Sequence, residues 1–134
     1  NRSFKNELLL NPDFSEIKGW TISDKSQYNA VSKTLISSVS LPAVQNTPIN
    51  AQHHYKNTVT ARCHKESAPG RAQINWADAN GQFIKVDIKV FDCTSNWEEH
   101  VMEKKAPPNA TRASVFVSGH TAVPLEFKSV SLMH

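Results

Sequence analysis

Three kinds of side chain in this sequence could do chemistry: carboxylates, histidines with cysteines, and aromatic rings set among amides and cations. Cutting a glycosidic bond generally takes two carboxyl groups, one on each side of the bond. Glu98 and Glu99 are neighbours, and in an extended chain neighbours point to opposite sides. No G-x-S-x-G motif, H-E-x-x-H motif or cysteine–histidine arrangement occurs, and Asp92-Cys93-Thr94 has no base beside it. An enzyme acting alone is not expected; catalysis, if any, belongs to a linked domain. His53-His54 and Cys63-His64 are adjacent pairs and meet the same objection as metal ligands. His100, His120 and His134 share no ligand spacing. Asp78-Ala79-Asn80-Gly81 has the start of a calcium loop but lacks its downstream ligands, so it reads as a hairpin turn. Cys63 and Cys93 make no C-x-x-C motif; they form either one disulfide or two buried thiols, and only Cα geometry decides.

Binding chemistry is what remains. A sugar packs its C–H face on an aromatic ring while flanking polar groups bond its hydroxyls. The chain has three Trp, two Tyr and six Phe. Trp76 is in phase with Ala72 and Ile74, which places it in a core. The opposite strand faces are the better candidates. Thr60, Arg62 and His64 oppose Val59, Ala61 and Cys63. Gln73 and Asn75 oppose Ala72, Ile74 and Trp76. Ser114, Phe116 and Ser118 oppose Val115 and Val117. If these strands share one concave sheet, Arg62, His64, Gln73, Asn75 and Phe116 form one surface. Tyr28, His53, His54 and Tyr55 lie on or beside a long stretch without strand signals and could rim it. The alternative is an isolated aromatic with no ligand.

Strands must position these groups, and the period-2 signal is strong. Ile84, Val86, Ile88 and Val90 alternate with Lys85, Asp87 and Lys89, so the four apolar residues are expected on the core face. Leu125, Phe127 and Val130 continue the pattern near the end with a change of phase. Asn80-Gly81 signals a hairpin, Ser67-Ala68-Pro69-Gly70 separates two strands, and Ala106-Pro107-Pro108-Asn109 breaks another pair. The expected strands are 7–10, 18–23, 28–31, 34–40, 55–63, 71–77, 82–91, 97–104, 111–118 and 125–132. No sustained helical periodicity appears. Ten short strands in one domain, 1–134, imply a two-sheet β-sandwich or a barrel.

The whole-chain arithmetic narrows the partners. With 134 residues, Lys plus Arg 15, Asp plus Glu 12 and a net charge of +3, the basic residues are scattered and form no stripe. Nucleic acid is therefore not an expected partner. The longest apolar runs, such as Leu8-Leu9-Leu10, fall far short of the ~20 residues of a membrane span, so no membrane partner is expected. A chain that opens on Asn1 reads as a module of a longer protein.

Ordered motifs then add a family resemblance. Glu7-Leu8-Leu9-Leu10-Asn11-Pro12-Asp13-Phe14 with Gly19-Trp20 resembles the N-L-L-x-N-G-D-F … G-W opening of jelly-roll carbohydrate-binding modules, the galactose-binding-domain-like β-sandwiches. Tyr55-x-x-Thr58-Val59-Thr60-Ala61-Arg62 and Ile74-Asn75-Trp76-Ala77-Asp78-Ala79-Asn80-Gly81 resemble two middle strands. Trp97, Ala106-Pro107 and Ala110 resemble W … A-P-x-x-A, and Leu125 to Leu132 resembles the closing strand. The match spans about 7–132. The resemblance implies an all-β, two-sheet antiparallel β-sandwich of jelly-roll topology. It also implies a non-catalytic module that binds a poly- or oligosaccharide, linked to other domains and working outside the cell or at its surface. Trp20, Trp76 and Trp97 match structural positions. The alternative is a structural or protein-interaction sandwich of a surface or tail-fibre protein.

Many members of that family carry a structural calcium, but Lys128 stands where an acidic ligand is usual. No cofactor or metal is expected, and Lys128 is expected to pair with Asp13 or Glu16 in place of the ion.

Overall fold

A computed structural model describes residues 3–64 and 67–134. Among the described residues there are ten strands: β1 (Thr21–Ile22), β2 (Tyr28–Asn29), β3 (Thr34–Ser37), β4 (Ala43–Pro48), β5 (His54–Arg62), β6 (Ala68–Ala77), β7 (Phe83–Cys93), β8 (Glu98–Lys105), β9 (Arg112–Gly119) and β10 (Leu125–Met133). They form two five-stranded antiparallel sheets. Sheet I runs β1-β4-β9-β6-β7, and sheet II runs β2-β3-β10-β5-β8. Only β2–β3 and β6–β7 are hairpins within a sheet; every other consecutive pair crosses to the opposite sheet. This is the expected jelly-roll β-sandwich. Between β1 and β2 a single 3₁₀ turn at Lys25–Gln27 is capped by Asp24, whose side chain accepts from the Ser26 N–H.

Strand alternation builds the core. In β6, buried Ala68, Gly70, Ala72, Ile74 and Trp76 alternate with half-buried Pro69, Arg71, Gln73, Asn75 and Ala77. Gly70 has no room for a side chain, because a Cβ would stand 2.6 Å from the Phe91 ring and 2.5 Å from Leu125 of the facing sheet. Val59, Ala61, Val115, Val117, Leu125, Phe127, Val130 and Leu132 complete the layer between the sheets. At full burial each such side chain contributes about 1.5–3 kcal/mol, Ala less. Cys63, just after β5, and Cys93, the last residue of β7, form a disulfide with Cα atoms 5.9 Å apart. It ties sheet II to sheet I.

The local signals held where turn chemistry is specific. Asn80-Gly81 closes the β6–β7 hairpin; Gly81 takes φ +79° and the Asp78 carboxylate accepts from the N–H groups of Asn80 and Gln82. The phase change near the end is a β-bulge between Phe127 and Ser129, and Lys128 is its extra residue. The expected break at Ser67–Gly70 is a correction: β6 already starts at Ala68, so Ala68, Pro69 and Gly70 belong to the strand.

Two strands differ from expectation. Residues 7–10 make only an isolated bridge, Glu7 to Met133. In their place, β4 at 43–48 fills sheet I between β1 and β9. Its inward residues are Ala43, Gln45 and Thr47, so the apolar signal is missing. The same amide explains both differences. Buried Gln45 accepts from the Leu10 N–H (2.7 Å) and donates to the Leu10 carbonyl (3.0 Å), satisfying that backbone without a ladder.

Candidate functional site

The outer face of sheet I is built by register. Pairing of β4, β9, β6 and β7 sets side chains in rows across the sheet. One row is Thr21, Val44, Phe116, Gln73 and Ile88; the next is Asn46, Ser114, Asn75 and Val86. A third places Ser118, Arg71 and Val90 side by side, and a fourth Pro48, Arg112, Ala77 and Phe83. Of the predicted residues, Gln73, Asn75 and Phe116 therefore meet as expected.

The apolar members of this face are a correction. Val86, Ile88 and Val90 were expected in the core, yet they lie outward, 39–48% exposed, beside Asn75, Gln73 and Arg71. The register shift between Trp76 and Ala77 skips Ile84, which turns toward the core while the rest of the strand takes the other phase. Lys85, Asp87 and Lys89 consequently point to the sandwich edge, where each finds a partner, while Asp92 keeps the outward phase opposite Pro69. Asp87 is buried and accepts from the Trp76 indole N–H at 2.8 Å. Lys85 approaches Asp87 at 3.3 Å, and Lys89 donates to the Val101 carbonyl of β8. Alternation marked two faces correctly but not which was inside.

The polar side chains on this face are joined in one direction. Arg71 Nη1 donates to Gln73 Oε1 at 3.1 Å, and Gln73 Nε2 donates to Asn75 Oδ1 at 2.9 Å. A guanidinium only donates, so it fixes the orientation of both amides. Arg71 is the residue that sequence reasoning missed, because its strand was expected to begin there. Arg71 Nε is buried without a hydrogen-bond partner among the described residues.

The other predicted residues lie elsewhere. Arg62 and His64 belong to the sheet II side, where both reach the buried Glu126 carboxylate at 2.8 Å. Burial alone would raise the Glu126 carboxyl, but hydrogen bonds from Arg62 and Thr34 and the nearby positive charges outweigh it and hold it below its ordinary value. Arg62 also covers the Trp97 ring at 4.4 Å, with Lys128 over the same ring at 5.0 Å. Trp97 is thus half-buried under two cations rather than in the core, whereas Trp20 and Trp76 are buried. Lys128 pairs with neither Asp13 nor Glu16; Asp13 instead accepts from the Ser15 N–H. The bulge aims Lys128 at Trp97.

Tyr28 sits in edge strand β2 of sheet II and donates to the Phe14 carbonyl at 2.6 Å. Tyr55 is 1% exposed, with its ring 5.9 Å from Trp76 and its hydroxyl accepting from the Asn50 N–H; its place is the core, not a rim. His53 and His54 line a separate cavity of about 600 Å³ with Phe4, Asn6 and His134, which shares no residue with the rows above. His53 Nδ1 and His134 Nε2 are hydrogen-bonded there at 3.0 Å. Among the described residues, no three His, Cys, Asp or Glu side chains come together as a metal-ligand set.

No protein-family model matches the chain, and a comparison with curated proteins finds no match. Solved structures do share its fold. The CBM22-1–GH10 modules of Clostridium thermocellum endo-1,4-β-D-xylanase 10B, complexed with xylohexaose, superpose with a TM-score of 0.71 at 14% identity, over 96% of this chain and 28% of that one. The enzymatically active domain of tailspike protein 4 from bacteriophage CBA120 gives 0.62 at 16% identity, over 96% and 21%. A family 16 carbohydrate-binding module gives 0.63 at 14% identity, over 95% and 99%. The chain thus spans about a quarter of the first two proteins and nearly all of the third. At such identities the likeness is one of fold: the chain has the β-sandwich of carbohydrate-binding modules.

Proposed function

We propose that this chain is a non-catalytic carbohydrate-binding module, and that its glycan lies across the outer face of sheet I. One observation carries the reading. Register places an aromatic ring (Phe116), two oriented amides (Gln73 and Asn75) and an exposed aliphatic strip (Val86, Ile88, Val90) side by side. That is the mixture a sugar chain needs: apolar surface for its C–H faces and polar groups for its oxygens. The shared fold with modules of glycan-acting proteins supports it. Such a module keeps a linked domain close to its polysaccharide by raising effective concentration. The disulfide supports an oxidising location, outside the cell or at its surface. The reading includes no calcium, since Lys128 places an ammonium group where the resembled family has an acidic ligand.

A second reading has one observation in its favour. The aliphatic strip lies on β7, the free edge of sheet I, and an edge of that kind also suits a protein partner. A glycan microarray followed by titration calorimetry separates the two. Phe116→Ala should weaken binding to the captured glycan by about 1–3 kcal/mol, roughly 5–150-fold. Unchanged affinity in a folded variant, or no captured glycan with self-association through β7, favours the interaction reading.

A further inference from the structure

The direction of the hydrogen bonds on the sheet I face selects the kind of sugar. Arg71 starts the relay as a donor, so Gln73 Oε1 and Asn75 Oδ1 each already accept a bond from within the protein. The relay leaves unspent the Asn75 NH₂ and the remaining Nη N–H groups of Arg71 as donors, and one lone pair on each amide oxygen as an acceptor. The four rows contain no carboxylate. Their charged members are Arg71 and Arg112, and among the described residues neither makes an ion pair. Asp92 lies one row further out, opposite Pro69.

Neutral sugars present hydroxyls, which carry no charge for a guanidinium to match. This face is rich in donors. The second observation is the buried Arg71 Nε with no partner among the described residues. An unsatisfied buried N–H of a charged group is costly, and an acceptor that drew the guanidinium outward would satisfy it. Arg62 offers the contrast, since its Nε is bonded to Glu126.

We propose that the glycan held here is acidic: a uronate-bearing chain whose carboxylate is taken by the planar fork of Arg71. The inference rests on the carbohydrate reading above and goes beyond it by naming the sugar class. Arg112, three rows along, stands roughly 20 Å from Arg71 at the strand rise of about 3.3 Å per residue. A second acidic sugar of the same chain reaches it there. The aliphatic strip and Phe116 take the ring faces between the two.

Calorimetry on the whole chain tests this with polygalacturonate, polymannuronate and glucuronate-substituted xylan oligosaccharides, each beside its carboxyl-reduced counterpart. Neutral xylan, β-glucan and galactan oligosaccharides, and dextran sulfate, complete the panel. At least one uronate chain should bind tenfold or more tighter than its reduced form. Gln73→Glu, which reverses the relay's polarity with little change of size, and Arg71→Met, which keeps the apolar stem, should each remove that difference while leaving the melting temperature within a few degrees. Binding of neutral chains alone overturns the acidic-sugar inference and leaves the carbohydrate reading standing. Binding of no glycan at all by the folded protein overturns both. Equal binding of dextran sulfate, or uronate binding untouched by both substitutions, shows attraction to the chain's general positive charge and overturns the assignment to this face.

Discussion

On the outer side of sheet II a ring lies beneath two cations: Arg62 and Lys128 both cover Trp97, and Arg62 and His64 share the buried Glu126 carboxylate. On the outer side of sheet I, Phe116 lies beside Gln73, Arg71 has no acid partner among the described residues, and Val86, Ile88 and Val90 are left to solvent. Both faces combine an aromatic residue, a guanidinium and neighbouring polar groups. They differ in what is already satisfied. Sheet II spends its charges on its own strands and joins β5 to β10 and to the segment before β8. Sheet I leaves donors and apolar surface open. Residue type alone does not distinguish the two faces; what each leaves unsatisfied does.

The comparison can be broken or sharpened by substitution. The largest effect should come from the scaffold beneath both faces. Replacing Cys63 and Cys93 with Ser opens a link between residues 30 apart and should cost about 3–4 kcal/mol of stability by the loop-entropy argument. Urea unfolding measures it. Glycan affinity of the folded fraction should not move, and a large affinity loss would show that the staple also shapes the sheet I face.

Next comes the self-satisfied face. Glu126→Gln should cost about 1–2 kcal/mol, less than a fully buried charged hydrogen bond because Arg62 and His64 are partly exposed. Glycan affinity should stay at wild type, the opposite of Phe116→Ala. If Glu126→Gln weakens binding and leaves stability intact, the two faces have been assigned the wrong way round.

The pH dependence of stability has a definite sign. The folded Glu126 carboxyl lies below its ordinary 4.5, so the folded state resists protonation more than the unfolded chain does. Its contribution is present above pH 4.5 and is lost as pH falls through the lower folded value. Thermal melts of wild type and Glu126→Gln should therefore converge below that pH and separate above it. The smallest effect belongs to Lys128→Ala, which removes one partly exposed cation from Trp97 and should cost about 0.5–1 kcal/mol. A loss of several kcal/mol would mean that Lys128 has a partner besides the ring.

Local sequence determined what short-range physics controls. Alternation located β5, β6, β7, β9 and β10, Asn80-Gly81 determined their tightest turn, and the broken phase of Leu125, Phe127 and Val130 marked the bulge at Lys128. It also separated the two faces of β6 and β9, so it was legible that Gln73, Asn75 and Phe116 share one face. Tertiary structure decided the rest, because pairing partners are set by contacts far apart in the chain. It placed Arg62 on the other sheet from Asn75, and it buried Gln45 where only the distant Leu10 backbone made an amide acceptable. It turned Val86, Ile88 and Val90 outward, since an edge strand's inner side meets the sandwich rim, where Asp87 could bond the Trp76 indole and Lys89 the Val101 carbonyl. A period of two specifies that a strand has two unlike faces; which of them is buried depends on what the opposite sheet brings to it.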